Sequence, residues 1–171
     1  SEGFGVQGFA SGATNITTGS GADSIVGGSG ADTVSAGAGN DTIVGAQNDA
    51  LLDGGADSDL LKIGANFNDT GDAQIANIEN VEVTVAGLTV NLGDQTEGFV
   101  ILGHSSGGTN ITAGSGADSN VGGSGADTFS AGAGNDTILG AQNDALIDGG
   151  ANTDWLKIGA NFNDTGDAQI A

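Results

Sequence analysis

Residues 18–44 read TGSGADSIV, GGSGADTVS and AGAGNDTIV. Three nonapeptides stand in unbroken phase, with aspartate sixth (Asp23, Asp32, Asp41) and an apolar residue eighth (Ile25, Val34, Ile43). The same step extends outward to FASGATNIT at 9–17, GAQNDALLD at 45–53 and GGADSDLLK at 54–62. The eighth position is then also Ile16, Leu52 and Leu61, and the sixth is again aspartate at Asp59. The fourth position is Gly12, Gly21, Gly30 and Gly39, followed by Asn48 and Asp57. Asparagine and aspartate are the non-glycine residues that best tolerate positive φ, so these exchanges respect one backbone demand.

A second, longer period encloses the first. Segment 1–76 aligns without a gap with 96–171, and 61 of 76 positions are identical. The six nonapeptides therefore return from His104 to Lys157. The reading is a window on a longer repetitive protein, with Ser1 following no basic-then-apolar leader.

Composition narrows the function. The chain of 171 residues has 34 glycines, no cysteine, and a formal charge of −20 from 22 acids and two lysines. Without cysteine there is neither disulfide scaffold nor zinc–thiolate site. Two basic residues cannot neutralise a phosphate backbone, so nucleic acid is excluded as a partner. No apolar run approaches the roughly 20 residues of a membrane span. Glycine does not recur at every third residue as collagen requires, and an apolar content of 37% is too high for an acidic linker.

The nonapeptides resemble the repeats-in-toxin (RTX) calcium-binding family, with its pattern G-G-x-G-x-D-x-U-x. GGSGADTVS at 27–35 and GGSGADTFS at 122–130 fit at every defined position, and their neighbours TGSGADSIV and AGAGNDTIV lose only the first glycine. The resemblance implies an all-β fold, a parallel β-roll or β-helix solenoid with calcium ions in the turns. Each nonapeptide would be half a coil, six residues of turn and three of strand. The strand positions suit this, being rich in β-branched residues. Alternation of faces turns the eighth side chain inward. Ile16, Val34 and Leu52 are expected on one sheet, and Ile25, Ile43 and Leu61 on the other.

A core one side chain deep is too thin to offset a backbone entropy of about 1–2 kcal/mol per residue. Turns 18 residues apart would stack at about 4.8 Å, placing Asp23, Asp41 and Asp59 in one column and Asp32 with Asp49 in another. Stacked carboxylates repel unless a cation sits between them. Calcium fits, since it accepts carboxylates and carbonyls in flexible geometry. The candidate ligands are Asp23, Asp32, Asp41, Asp49 and Asp59, with Asp118, Asp127, Asp136, Asp144 and Asp154 in the second unit. The backbone would add the turns carrying Gly19, Gly21, Gly28, Gly30, Gly37, Gly39, Gly114, Gly116, Gly123, Gly125, Gly132 and Gly134. Several ions per roll are expected, with the chain largely unfolded until calcium binds.

Departures from the pattern mark weak points. Thr14 and Thr109 replace the aspartate of the first turn in each roll. Asp49 stands one position early, with Ala50 in the sixth place. Asn120 replaces Ile25 at a core position, with Val121 the candidate to turn inward in its stead, and Val34 becomes Phe129 beside it. Residues 1–8 read as an entry strand, 9–62 and 104–157 as two rolls, and 158–171 as the start of a second connecting segment. In the connecting segment 63–103, IGANFNDTGDAQIA reads as a loop or cap anchored by Phe67, with Asp69 and Asp72 solvated. VEVTV, LTVNL and TEGFVILG read as strands that cap each roll or continue the stack, and a continuous solenoid is favoured. Trp155 reads as a partly exposed packing substitution, and the lysines as local partners of the acidic surface.

No catalytic constellation is present. His104 corresponds to Phe9 in the other unit, so the histidine is not shared by the repeats, and no H-E-x-x-H motif occurs. The leading reading is a non-catalytic calcium-binding structural protein of the bacterial exterior: a surface-layer, fibre or adhesin repeat. By resemblance it would leave the cell by type I secretion and associate with neighbouring copies of itself. The alternative is the calcium-binding tail of a secreted hydrolase or toxin. An ice-binding solenoid ranks lower, because the third positions Ser20, Ser29, Ala38, Gln47 and Ala56 are irregular.

Overall fold

The computed structural model describes residues 2–45, 48–69, 71–139 and 144–158. Its regular elements are short strands. The first roll holds β1 (Gly5–Gln7), β2 (Asn15–Thr17), β3 (Ser24–Val26), β4 (Thr33–Ser35), β5 (Thr42–Val44), β6 (Leu51–Asp53) and β7 (Leu60–Ile63). The middle holds β8 (Phe67–Asn68), β9 (Ile75–Ala76), β10 (Asn80–Val83), β11 (Thr89–Asn91) and β12 (Val100–Leu102). The second roll holds β13 (Asn110–Thr112), β14 (Ser119–Val121), β15 (Thr128–Ser130), β16 (Thr137–Leu139), β17 (Leu146–Asp148) and β18 (Trp155–Lys157).

These strands wind into a parallel β-solenoid. One face is a nine-stranded sheet in the order β1-β3-β5-β7-β10-β12-β14-β16-β18. The other face is split into β2-β4-β6-β9 and β17-β15-β13-β11-β8. The register follows the nonapeptide step: Ile25 pairs with Ile43 and Ile43 with Leu61, while Ile16 pairs with Val34 and Val34 with Leu52. Each three-residue strand has its central side chain inward and its neighbours outward, so one apolar column from each sheet fills the interior. Val34, Leu52, Leu61 and Ile25 are completely buried.

The fourth-position exchanges keep the turn conformation. Asn48 and Asp57 have φ of 63° and 83° where Gly39 has 116°. Between coils the backbones touch so closely that a side-chain carbon on Gly37 would run into the carbonyl of Gly19.

The connecting segment continues the stack instead of capping it. Leu60 pairs with Asn80, and Asn80 with Val100, so the middle coils are slightly longer but feed the same sheet. Residues 63–76 are not a plain loop. β9 pairs back onto β6, while β8 pairs forward onto β11, and this divergence splits the second face. Phe67 is buried, as an anchor should be. Asp69 departs from expectation: it is 3% exposed, its Oδ1 accepting from the Gly71 N–H and its Oδ2 from Gln95 Nε2 at 2.9 Å. Asp72 is exposed, holding Thr96 through its N–H and hydroxyl.

Asn120 also departs from expectation. It stays inward at 1% exposure, opposite Ile101 and Ile138, while Val121 remains on the outer face. Strand pairing fixes which face each residue takes, and a one-residue slip would invert the whole strand. Trp155 is 67% exposed, and Lys62 pairs with Glu82 at 3.1 Å. Gln47 and nearly all of 158–171 lie outside the described residues.

Candidate metal centre

Each turn aspartate reaches back one coil. Asp23 Oδ1 accepts from the Phe4 N–H, Asp41 Oδ1 from the Asp23 N–H and Asp59 Oδ1 from the Asp41 N–H, at 2.6–2.7 Å. In the second roll Asp118, Asp136 and Asp154 hold the N–H groups of Phe99, Asp118 and Asp136 in the same way. The other column runs through Asp32 on Thr14 and Asp49 on Asp32, with Asp127 on Thr109 and Asp144 on Asp127. The early position of Asp49 is therefore harmless. Its carboxylate joins the column at 3.2 Å, and the Asp32 carbonyl takes both the Ala50 and Leu51 N–H groups, which absorbs the offset.

One oxygen of each carboxylate is thus used by the protein. Asp127 uses both, its Oδ2 accepting from the Gly123 N–H at 3.2 Å, while in five others the second oxygen is spare. Asp23, Asp32, Asp41, Asp59 and Asp136 each have a buried Oδ2 with no hydrogen-bond partner. A buried carboxylate oxygen without a partner is costly, and its recurrence at equivalent turns of both repeat units makes it a design, not an accident. The space beside it is kept open by glycine. A side-chain carbon on Gly27 would lie 2.8 Å from Asp32 Oδ2, and one on Gly122 would lie 2.9 Å from Asp127 Oδ2. Gly54 and Gly149 stand likewise against Asp59 and Asp154. These first-position glycines escaped the sequence reading, which took the second and fourth; the doubled glycine was the available signal.

Among the described residues no three Asp, Glu or His side chains converge on one point. A cation here must be held by one or two carboxylates with backbone carbonyls, a donor set of hard oxygens that suits calcium.

Burial raises the carboxyl pKa along the columns. Asp49 and Asp144 are pushed up to about 7 from 3.8, first by burial and further by the charges of Asp32 and Asp127, with backbone N–H bonds opposing. Asp59 and Asp118 rise to about 6 for the same leading cause. A folded-state pKa above the unfolded one adds stability that is full below 3.8 and lost as pH rises through about 6–7. The ion-free chain should therefore gain β-structure on acidification from pH 8 to 4.5. Protons and calcium compete for the same oxygens, so the calcium midpoint should rise as pH falls from 8 to 5.5. Circular dichroism in chelator and in graded calcium checks both.

Stacked carboxylates, five of them with a spare buried oxygen, in glycine-lined turns of a parallel solenoid, define a cation-binding β-roll. The profile of the RTX calcium-binding nonapeptide repeat matches residues 17–50, 27–61, 105–138, 112–147 and 121–156, together more than half of the chain. The chain belongs to that family, and its repeats are calcium-binding repeats. No curated protein and no solved structure matches it significantly.

Proposed function

We propose that the chain is a non-catalytic structural segment of an extracellular bacterial protein, folded by calcium and packed against neighbouring copies of itself. The observation that carries this reading is the repeated unpartnered Oδ2. Calcium would supply the missing partner and remove the repulsion between stacked carboxylates. The ten aspartates from Asp23 to Asp154 would hold it, with carbonyls of the glycine turns completing each shell. By resemblance to the family, the chain would cross the cell envelope unfolded, by type I secretion, and fold where calcium is abundant.

Self-association is favoured by the outer face of the nine-stranded sheet. Val26, Leu102 and Leu139 are exposed there, and Val44 and Val121 half-exposed, on neighbouring strands. Both lysines of the chain lie on this face, with Glu82. On a molecule of charge −20, it is a face two copies can share without strong repulsion. Sedimentation velocity in calcium tests the association. The wild-type chain should form dimers or larger species, and Leu102→Glu should return it to monomers with an unchanged circular dichroism spectrum. A wild-type chain that stays monomeric at high concentration in calcium would remove the assembly role.

A further inference from the structure

The first carboxylate column does not end where the nonapeptides end. The Asp59 N–H donates to Glu79 Oε2 at 2.8 Å, repeating the bond that Asp59 makes to Asp41 and Asp41 to Asp23. Glu79 lies two residues before the inward Val81, the spacing Asp59 keeps to Leu61. One coil further, Phe99 stands buried in the corresponding place, so Glu79 is the last acid of this stretch.

The turn beneath Glu79 is shaped like those of the repeats. Asn77 adopts a φ of 51° and is fastened by its Nδ2 to Asp53 Oδ1 at 2.8 Å. Gly54 N–H donates to the Ala76 carbonyl at 3.0 Å. A side-chain carbon on Gly54 would meet the Asn77 carbonyl oxygen and, at 2.6 Å, Asp59 Oδ2. Two oxygens thus flank one point that glycine leaves open. Asp59 is completely buried and its Oδ2 has no partner.

From this geometry we infer a calcium site between the turns 54–59 and 76–79, beyond the last nonapeptide, with Asp59, the Asn77 carbonyl and Glu79 as its protein ligands. Glu79 is exposed, so water completes the shell, as calcium readily allows. The site closes the roll by covering the final carboxylate that the repeats leave open. It rests on the reading of the repeat turns as calcium sites.

Isothermal titration of the full chain with calcium tests it. Glu79→Gln keeps an acceptor for the Asp59 N–H but removes the charge. The variant should lose one bound ion, or bind its weakest ion at least about tenfold less tightly, while still folding in calcium. Glu82→Gln, on the strand that follows Glu79 and paired with Lys62, should titrate like the wild type. If the wild type binds calcium and Glu79→Gln matches it in number and affinity, this site is refuted and the repeat sites stand. If the wild type takes up no calcium, the reading of the whole column fails and this site with it.

Discussion

Asp41→Asn should stabilise the ion-free roll and weaken the calcium-bound one. Asp41 lies mid-column: its Oδ1 takes the Asp23 N–H and its own N–H goes to Asp59. Asparagine keeps that acceptor, so the coil spacing survives. What it removes is a charge that burial and the neighbouring Asp23 and Asp57 disfavour. Without calcium the variant should be more stable than the wild type, because the amide that replaces the carboxylate is neutral. With calcium the charge is what binds the ion, and the folding midpoint should shift at least about tenfold to higher calcium. Circular dichroism checks the first effect in chelator with a stabilising osmolyte, and the second by calcium titration. A variant unchanged in both conditions would mean that Asp41 serves only as a backbone cap.

Asn120→Val should stabilise the second roll. Both amide atoms of Asn120 are buried without a hydrogen-bond partner, in a column of Ile101 and Ile138. Valine is close to asparagine in size and suits a strand, so it fits beside the fully buried Phe129. Removing the two unsatisfied groups should contribute about 1–3 kcal/mol, read as a higher urea midpoint in saturating calcium with an unchanged slope. A lower midpoint would show that the amide is bonded in the folded protein.

The fold was legible in the sequence because the period of nine sets both the turn and the inward residue. Leu52 pairs with Val34 as the phase requires, and Asp49 joins its column despite its offset. Asn120 was misread because residue type was weighed above strand register, and register prevails when a whole ladder would otherwise slip. Asp69 was misread because its partner Gln95 lies 26 residues away, and nothing local in D-x-x-D announces a buried amide. Glu79 escaped for a related reason: it keeps the spacing to Val81 but not the glycines that made the repeats visible. The first-position glycines were in plain view, yet their purpose appears only when Asp32 Oδ2 is seen beside Gly27.

These readings share one premise, that the carboxylate columns are a fold only when a cation occupies them. Far-ultraviolet circular dichroism of the chain during a calcium titration at pH 7.5, with magnesium in a parallel series, tests it most directly. The expected result is little β-structure in chelator, a cooperative gain of it with calcium, and no comparable gain with magnesium. A β-rich spectrum in chelator that calcium leaves unchanged would contradict the account.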